Sequence, residues 1–125
     1  MTGTILLVDD DFDLRFMLYN YFRLVDWNLV TADDPPQAMR LVTEHPPDAI
    51  ILDVRLRTGS GLDLLKFFRE KFPAIPVILY TSLPPDDGMV VDLMDGGAQK
   101  YVHKSGNLEE LLQIIQTATK KKPKA

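Results

Sequence analysis

Cysteine is absent from the 125 residues, tryptophan occurs once and histidine twice. Without thiols there is no disulfide framework, no cysteine nucleophile, no thiolate-held zinc and no thiol redox switch, and the pattern fits a reducing compartment such as the cytoplasm. Long hydrophobic runs are missing as well. The apolar run Ile5 to Val8 stops at Asp9, Asp10 and Asp11 with no basic leader before it, far short of the roughly 20 apolar residues a membrane span needs, so a soluble chain without membrane contact is expected. A basic surplus is also lacking: 14 Lys and Arg face 18 Asp and Glu, for a net charge of −4. That sign excludes phosphate-backbone gripping as the main task, and no direct nucleic-acid contact is expected. The tail KKKPKA is the one basic run and reads as a solvated, frayed end. His45 and His103 stand alone without ligand-like spacing and read as structural.

What is present is an ordinary globular balance of 46% hydrophobic and 26% charged residues, enough for one core that hides roughly two thirds of the unfolded surface. Short apolar runs alternate with amphipathic stretches along the whole length, the pattern of a parallel sheet. Strands are predicted at 4–9, 28–32, 48–53, 76–81 and 98–103, and the central ones read apolar without alternation, as strands covered on both faces do. Between them run helical stripes: Leu14, Leu18, Tyr21 and Val25; Ala38, Leu41 and Val42; Leu65 and Phe68; and Leu108, Leu111, Leu112 and Ile115. Asp34 before Pro35, and Asn107 three residues before Glu110, are helix-start signals. The fourth helix, about 86–95, has the weakest pattern. The first helix also carries Phe12, Phe16, Tyr19, Phe22 and Leu24 outside its core stripe, which reads equally well as a partner surface or as a wider buried face.

Five βα units form a doubly wound α/β sheet, and in such sheets ligands sit beyond the carboxyl ends of the strands. The unusual residues fall there. Asp9 and Asp10 end the first strand, Asp53 the third and Thr81 the fourth, and Lys104 follows the fifth. Three carboxylates brought together repel one another and call for a cation, and magnesium suits an all-oxygen donor set. A carboxylate can also be a nucleophile toward phosphorus, with a metal and a lysine neutralising the transferred group. The plainer reading of Asp9, Asp10 or Asp11 taken singly is capping of the first helix. Asp53, straight after Ala49 to Leu52 with no helix until about Gly59, has no such explanation.

These residues carry a resemblance. Over about residues 4–118 the sequence resembles the receiver domain of two-component response regulators, of the chemotaxis-regulator kind. ILLVDDD looks like the family's first strand with its acid pair, and ILDVRLRTGSG like the phosphoacceptor strand and loop, with Gly61 eight residues after Asp53. ILYTS matches the strand ending in a hydroxyl residue, and GGAQKYVHKS the segment ending in the lysine. The resemblance implies a flavodoxin-like three-layer (βα)5 fold with strand order 2-1-3-4-5 and a receiver domain over 1–120, followed by a basic tail at 121–125. It implies phosphorylation of Asp53 by a histidine kinase or phosphotransfer protein, as a signalling domain rather than an enzyme. It also implies Mg2+ held by Asp10, Asp53 and the Arg55 backbone carbonyl, with Asp9 acting mainly through water. Thr81 and Lys104 would engage the phosphoryl oxygens, with Thr81 moving inward and Tyr101 changing rotamer as the switch.

The sequence departs from that family in three places. Ser105 and Gly106 follow Lys104 where the family most often has proline, so the cis peptide found there does not carry over. Arg57 replaces another frequent proline, and Pro84 and Pro85 stiffen the loop after Thr81. An aspartyl phosphatase would need an acid two residues past Asp53, where Arg55 stands. A nucleotide or flavin carrier would need a glycine-rich loop after the first strand, where the acids are. A non-phosphorylated receiver-like scaffold would have lost an acid, Thr81 or Lys104. No output domain is recognised after the fifth helix, which leaves a free-standing regulator or a piece of a larger protein, and homodimerisation is left open.

Overall fold

The computed structural model describes residues 1–56 and 60–123. The strands are β1 (Thr4–Val8), β2 (Asn28–Ala32), β3 (Ala49–Leu52), β4 (Val77–Thr81) and β5 (Lys100–His103). The helices are α1 (Phe12–Leu24), α2 (Pro35–Glu44), α3 (Gly61–Lys71), α4 (Gly88–Asp95) and α5 (Leu108–Thr119). All ladders are parallel and the order is β2-β1-β3-β4-β5, so the predicted doubly wound architecture holds. The predicted elements differ from these by one or two residues at their ends, where the last ladder bonds run into loops.

Each helix begins where a short polar side chain satisfies an orphan amide. Asp11, Asp34, Ser60, Asp87 and Asn107 are the caps, accepting from Leu14, Gln37, Asp63, Met89 and Glu110 N–H respectively. The capping role thus goes to Asp11, which frees Asp9 and Asp10 for other work. Asp34 is the sharpest case, with Oδ1 2.8 Å from Gln37 N and two prolines opening the helix behind it. Asp34→Ala is expected to cost about 1 kcal/mol, read as a lowered urea midpoint with an unchanged slope.

The sheet divides the core in two. One face carries Leu6, Val8, Ile50, Leu52, Val77 and Leu79 against Ala38, Val42, Leu64, Leu65, Phe68, Val90 and Leu93 of α2, α3 and α4. The other carries Ile5, Leu7, Ala49, Ile51, Ile78 and Val102 against Leu18, Phe22, Leu111 and Ile115 of α1 and α5, with Trp27 beside them. Strand residues of opposite parity feed opposite layers, which is why β3 and β4 contain no polar residue before their last position. Gly97 turns the chain into β5 at φ 115°, with the Arg69 stem 3.3 Å from where a Cβ would lie, so both backbone and space favour glycine there.

Two sequence expectations need correction. Phe22 is fully buried, so it belongs to the core face of α1, whereas Phe12, Phe16, Tyr19 and Leu24 are exposed. The tail is not wholly a frayed end, because Lys121 Nζ lies 2.7 Å from Asp48 Oδ1, and Asp48 also accepts from Thr4 N–H at 2.8 Å. Arg57, with the mobility expected of its loop, and Lys124 lie outside the described residues.

Candidate functional site

Three backbone bonds carry the sheet one step past its strands and set the site. Asp9 N–H donates to Ala32 O at 3.0 Å, Asp53 N–H to Val8 O at 2.9 Å, and Lys104 N–H to Thr81 O at 2.8 Å. Asp9, Asp53 and Lys104 are therefore extensions of the ladders, and their side chains meet at the carboxyl edge. Asp9, Asp10 and Asp53 bring carboxylate oxygens within 4.8 Å of one another. The side chains of Asp9 and Asp53 are only 1% and 11% exposed.

Lys104 reaches over from the β5–α5 loop, with Nζ 3.0 Å from Asp9 Oδ2 and 3.7 Å from Asp53 Oδ1. Asp9 Oδ1 accepts the Asp11 amide at 2.9 Å, and Arg15 Nη1 holds the Asp9 carbonyl at 2.9 Å. Asp9 is thus fixed at three points and Asp53 is left facing the opening. Burial raises the Asp53 carboxyl to about 6, and the Asp9 charge adds to this; Lys104 and the Arg55 amide pull the other way, and Asp10 pushes up again. Burial alone would lower the Lys104 ammonium. The Asp9 hydrogen bond and the charges of Asp9, Asp53 and Asp11 more than offset that, and it is raised.

Thr81 is buried at the end of β4, and its Oγ1 accepts from Leu83 N–H at 3.1 Å. Tyr101 on β5 donates its hydroxyl to Leu83 O at 2.6 Å. No peptide among the described residues is cis, and the Lys104–Ser105 bond is trans.

A family model described as the response regulator receiver domain matches residues 5–116. The chain belongs to that family. The probable transcriptional regulatory protein TcrX of Mycobacterium tuberculosis is 36% identical over 109 residues, 87% of this receiver chain and 46% of that protein. The transcriptional regulatory protein KdpE of the same species is 31% identical over 117 residues, 94% of this chain and 51% of that protein. The receiver chain spans about half the length of these curated relatives. Chemotaxis protein CheY4 of Vibrio cholerae superposes with TM-score 0.85 at 23% identity, over 94% of this chain and 99% of that one. The BeF3-activated N-terminal receiver domain of RstA from Klebsiella pneumoniae gives TM-score 0.85 at 24% identity, over 93% and 97%. These two likenesses establish the fold. Receiver domains of response regulators are signalling domains, and no described helix of this one is long and apolar enough to cross a membrane.

The receiver fold brings Asp9, Asp10, Asp53 and Lys104 into one cluster and places Thr81 at the end of β4 and Tyr101 on β5, both bonded to Leu83 of the adjoining loop. Arg55 contributes an amide to Asp53. Sequence reasoning passed over Arg15, whose only signal was its place one turn into α1. His103, which the sequence reading gave a structural role, bridges Ser82 and Ser105 on the two loops flanking the site; its position directly before Lys104 was the clue to that place.

Proposed function

We propose that this receiver domain accepts a phosphoryl group on Asp53 from the phosphohistidine of a partner kinase or phosphotransfer protein, and that the modified form binds its output partner differently. The observation that carries this is a nearly buried carboxylate, Asp53, clustered with Asp10 and with a firmly held Asp9, and faced by one ammonium. At neutral pH a carboxyl titrating near 6 is mostly ionised and nucleophilic, yet poorly solvated, which favours attack. Its oxygen forms the new P–O bond as the P–N bond of phosphohistidine breaks, and the imidazole leaves with that electron pair and takes up a proton.

The donor set fits magnesium: all-oxygen ligands, a surplus of negative charge and one facing lysine among the described residues. Asp10, Asp53 and the Arg55 carbonyl would hold the ion, with Asp9 acting mainly through water. Bound there, it would neutralise charge on the transferred group. Lys104 would move from the carboxylates toward the phosphoryl oxygens. Thr81 would turn its hydroxyl inward, and Tyr101 would then leave Leu83, so that added charge biases an existing two-state loop. We further propose a cytoplasmic location, a receiver unit over 1–120 followed by a basic tail at 121–125, no catalytic role beyond its own phosphoryl transfer and hydrolysis, and no nucleic-acid contact by the receiver itself. DNA contact in relatives named as transcriptional regulators would then fall to parts outside the matched half.

Intact mass after incubation with a small-molecule phosphodonor tests the reading. Wild type should gain one phosphate only with magnesium present, and Asp53→Asn should gain none. A wild type that stays unmodified under both conditions returns the reading to a constitutive scaffold, and a gain surviving in Asp53→Asn places the acceptor elsewhere.

A further inference from the structure

We infer that His103 is a positioning residue, a latch that ties the β4–α4 loop to the β5–α5 loop and keeps the Thr81 hydroxyl engaged with its own loop at Leu83. The inference rests on the receiver reading above and adds a residue that reading does not use. His103 ends β5 and pairs in register with Thr81 at the end of β4, so it stands level with the hydroxyl that would turn. Its Nδ1 receives the Ser105 amide at 3.0 Å and lies 2.6 Å from Ser105 Oγ. An Nδ1 that accepts a backbone N–H leaves the ring proton on Nε2, and Nε2 lies 3.0 Å from Ser82 O.

The carbonyl of Ser82 and the amide of Leu83 belong to one planar peptide unit. His103 holds its oxygen at 3.0 Å, and Thr81 Oγ1 accepts from its N–H at 3.1 Å. A rigid plane fixed at the oxygen keeps its N–H aimed, so the imidazole governs whether the Thr81 hydroxyl stays engaged with its own loop. Tyr101, two residues earlier on the same side of β5, holds the next carbonyl, Leu83 O, at 2.6 Å. The edge strand thus grips two successive carbonyls of the loop that must move. Release of Tyr101 alone leaves the peptide plane held by His103.

The latch depends on a departure from the family pattern. A proline after Lys104 would have no N–H to offer, whereas Ser105 supplies both the amide and the hydroxyl that hold the imidazole ring. Loss of proline rigidity after the lysine is thereby compensated by a side-chain bridge across the two loops.

The test uses the full chain with magnesium and beryllofluoride as the phosphoryl mimic, comparing wild type with His103→Phe and His103→Gln. Phenylalanine keeps a ring without nitrogen; glutamine restores an N–H donor for the Ser82 carbonyl. His103→Phe should bind beryllofluoride about fivefold more tightly than wild type, the factor one net hydrogen bond is worth, and His103→Gln should fall between the two. Amide exchange at Leu83, followed without any ligand, should be faster in His103→Phe. A merely structural histidine would weaken mimic binding or leave it unchanged, and either result overturns the latch. If wild type binds no beryllofluoride, the phosphoryl reading fails while Leu83 exchange still decides the latch. Unchanged exchange at Leu83 in His103→Phe overturns it by itself.

Discussion

Asp53→Asn, the substitution that removes the proposed acceptor, will make the metal-free protein more stable at pH 8 by about 2 kcal/mol. Burial, then the Asp9 charge, lifts the folded-state carboxyl from 3.8 to about 6, against the pull of Lys104 and the Arg55 amide. Between those values the native state keeps a proton that the unfolded chain releases. Stability therefore falls as pH rises through that window and stays lower above it. Two pH units correspond to about 3 kcal/mol, and the partial opening of the site to water reduces this to about 2. Asparagine keeps the shape and removes the charge. Urea unfolding in EDTA from pH 4 to pH 8 reads the effect as a difference between variant and wild type, in which the other titrating groups cancel. The two should converge near pH 4, separate as pH rises from 4 to about 6 and keep a constant gap above that. Magnesium at pH 8 should raise the wild type toward the variant and shift the variant little, because the ion relieves the same repulsion the substitution removes. Parallel curves at all pH values would mean that Asp53 is not held against its own charge.

Order along the chain revealed the fold because each level of signal agreed. The unbroken apolar runs before Asp9, Asp53 and Thr81 left one arrangement, a sheet covered on both faces with its polar residues at one edge. Helix starts were legible for a local reason: Asp34 and Asn107 satisfy amides three residues away. Phe22 was misread because α1 has aromatic residues on every side, and a period of 3.6 cannot choose a face when Phe12, Phe16, Tyr19, Tyr21 and Phe22 all compete. Only packing against Ile5, Leu7 and Trp27 selects Leu18 and Phe22. The Lys121–Asp48 pair spans 73 residues, a separation at which charge order along the sequence says nothing of contact. The site was legible as residue types at strand ends, but its electrical state was not. That state follows first from the burial of Asp53 itself and then from the charge of Asp9 beside it, which the Asp11 amide and Arg15 hold in place. These are products of tertiary geometry.

Lys104→Met will slow the proposed phosphoryl uptake and will destabilise the metal-free protein by about 2 kcal/mol at neutral pH. Removing one partner of a fully buried pair costs about 3–5 kcal/mol, and this lysine side chain is 21% exposed, so the cost falls below that range, at about 2 kcal/mol. Asp9 Oδ2 loses its donor at 3.0 Å, and Asp53 loses the counter-charge at 3.7 Å. The ammonium is raised in the folded state, so its stabilisation is complete below its unfolded value of about 10.4 and is lost only as pH rises through the higher folded value. Across pH 5 to 9 the deficit of the variant therefore follows the carboxylates. It should shrink below about pH 6, where Asp53 takes its proton, and grow toward pH 8. The proposed nucleophile remains, so uptake from a small-molecule donor with magnesium should continue, slowed on the order of a hundredfold by loss of the charge proposed to meet the transferred group. Lys104→Arg, which keeps the charge in a bulkier fork, should recover much of the stability and less of the rate. Time courses of intact mass and urea midpoints at pH 5 and pH 8 give both readings from the same preparations. A deficit larger at pH 5 than at pH 8 would show that packing of the lysine stem, rather than its charge over Asp9 and Asp53, is what the site requires.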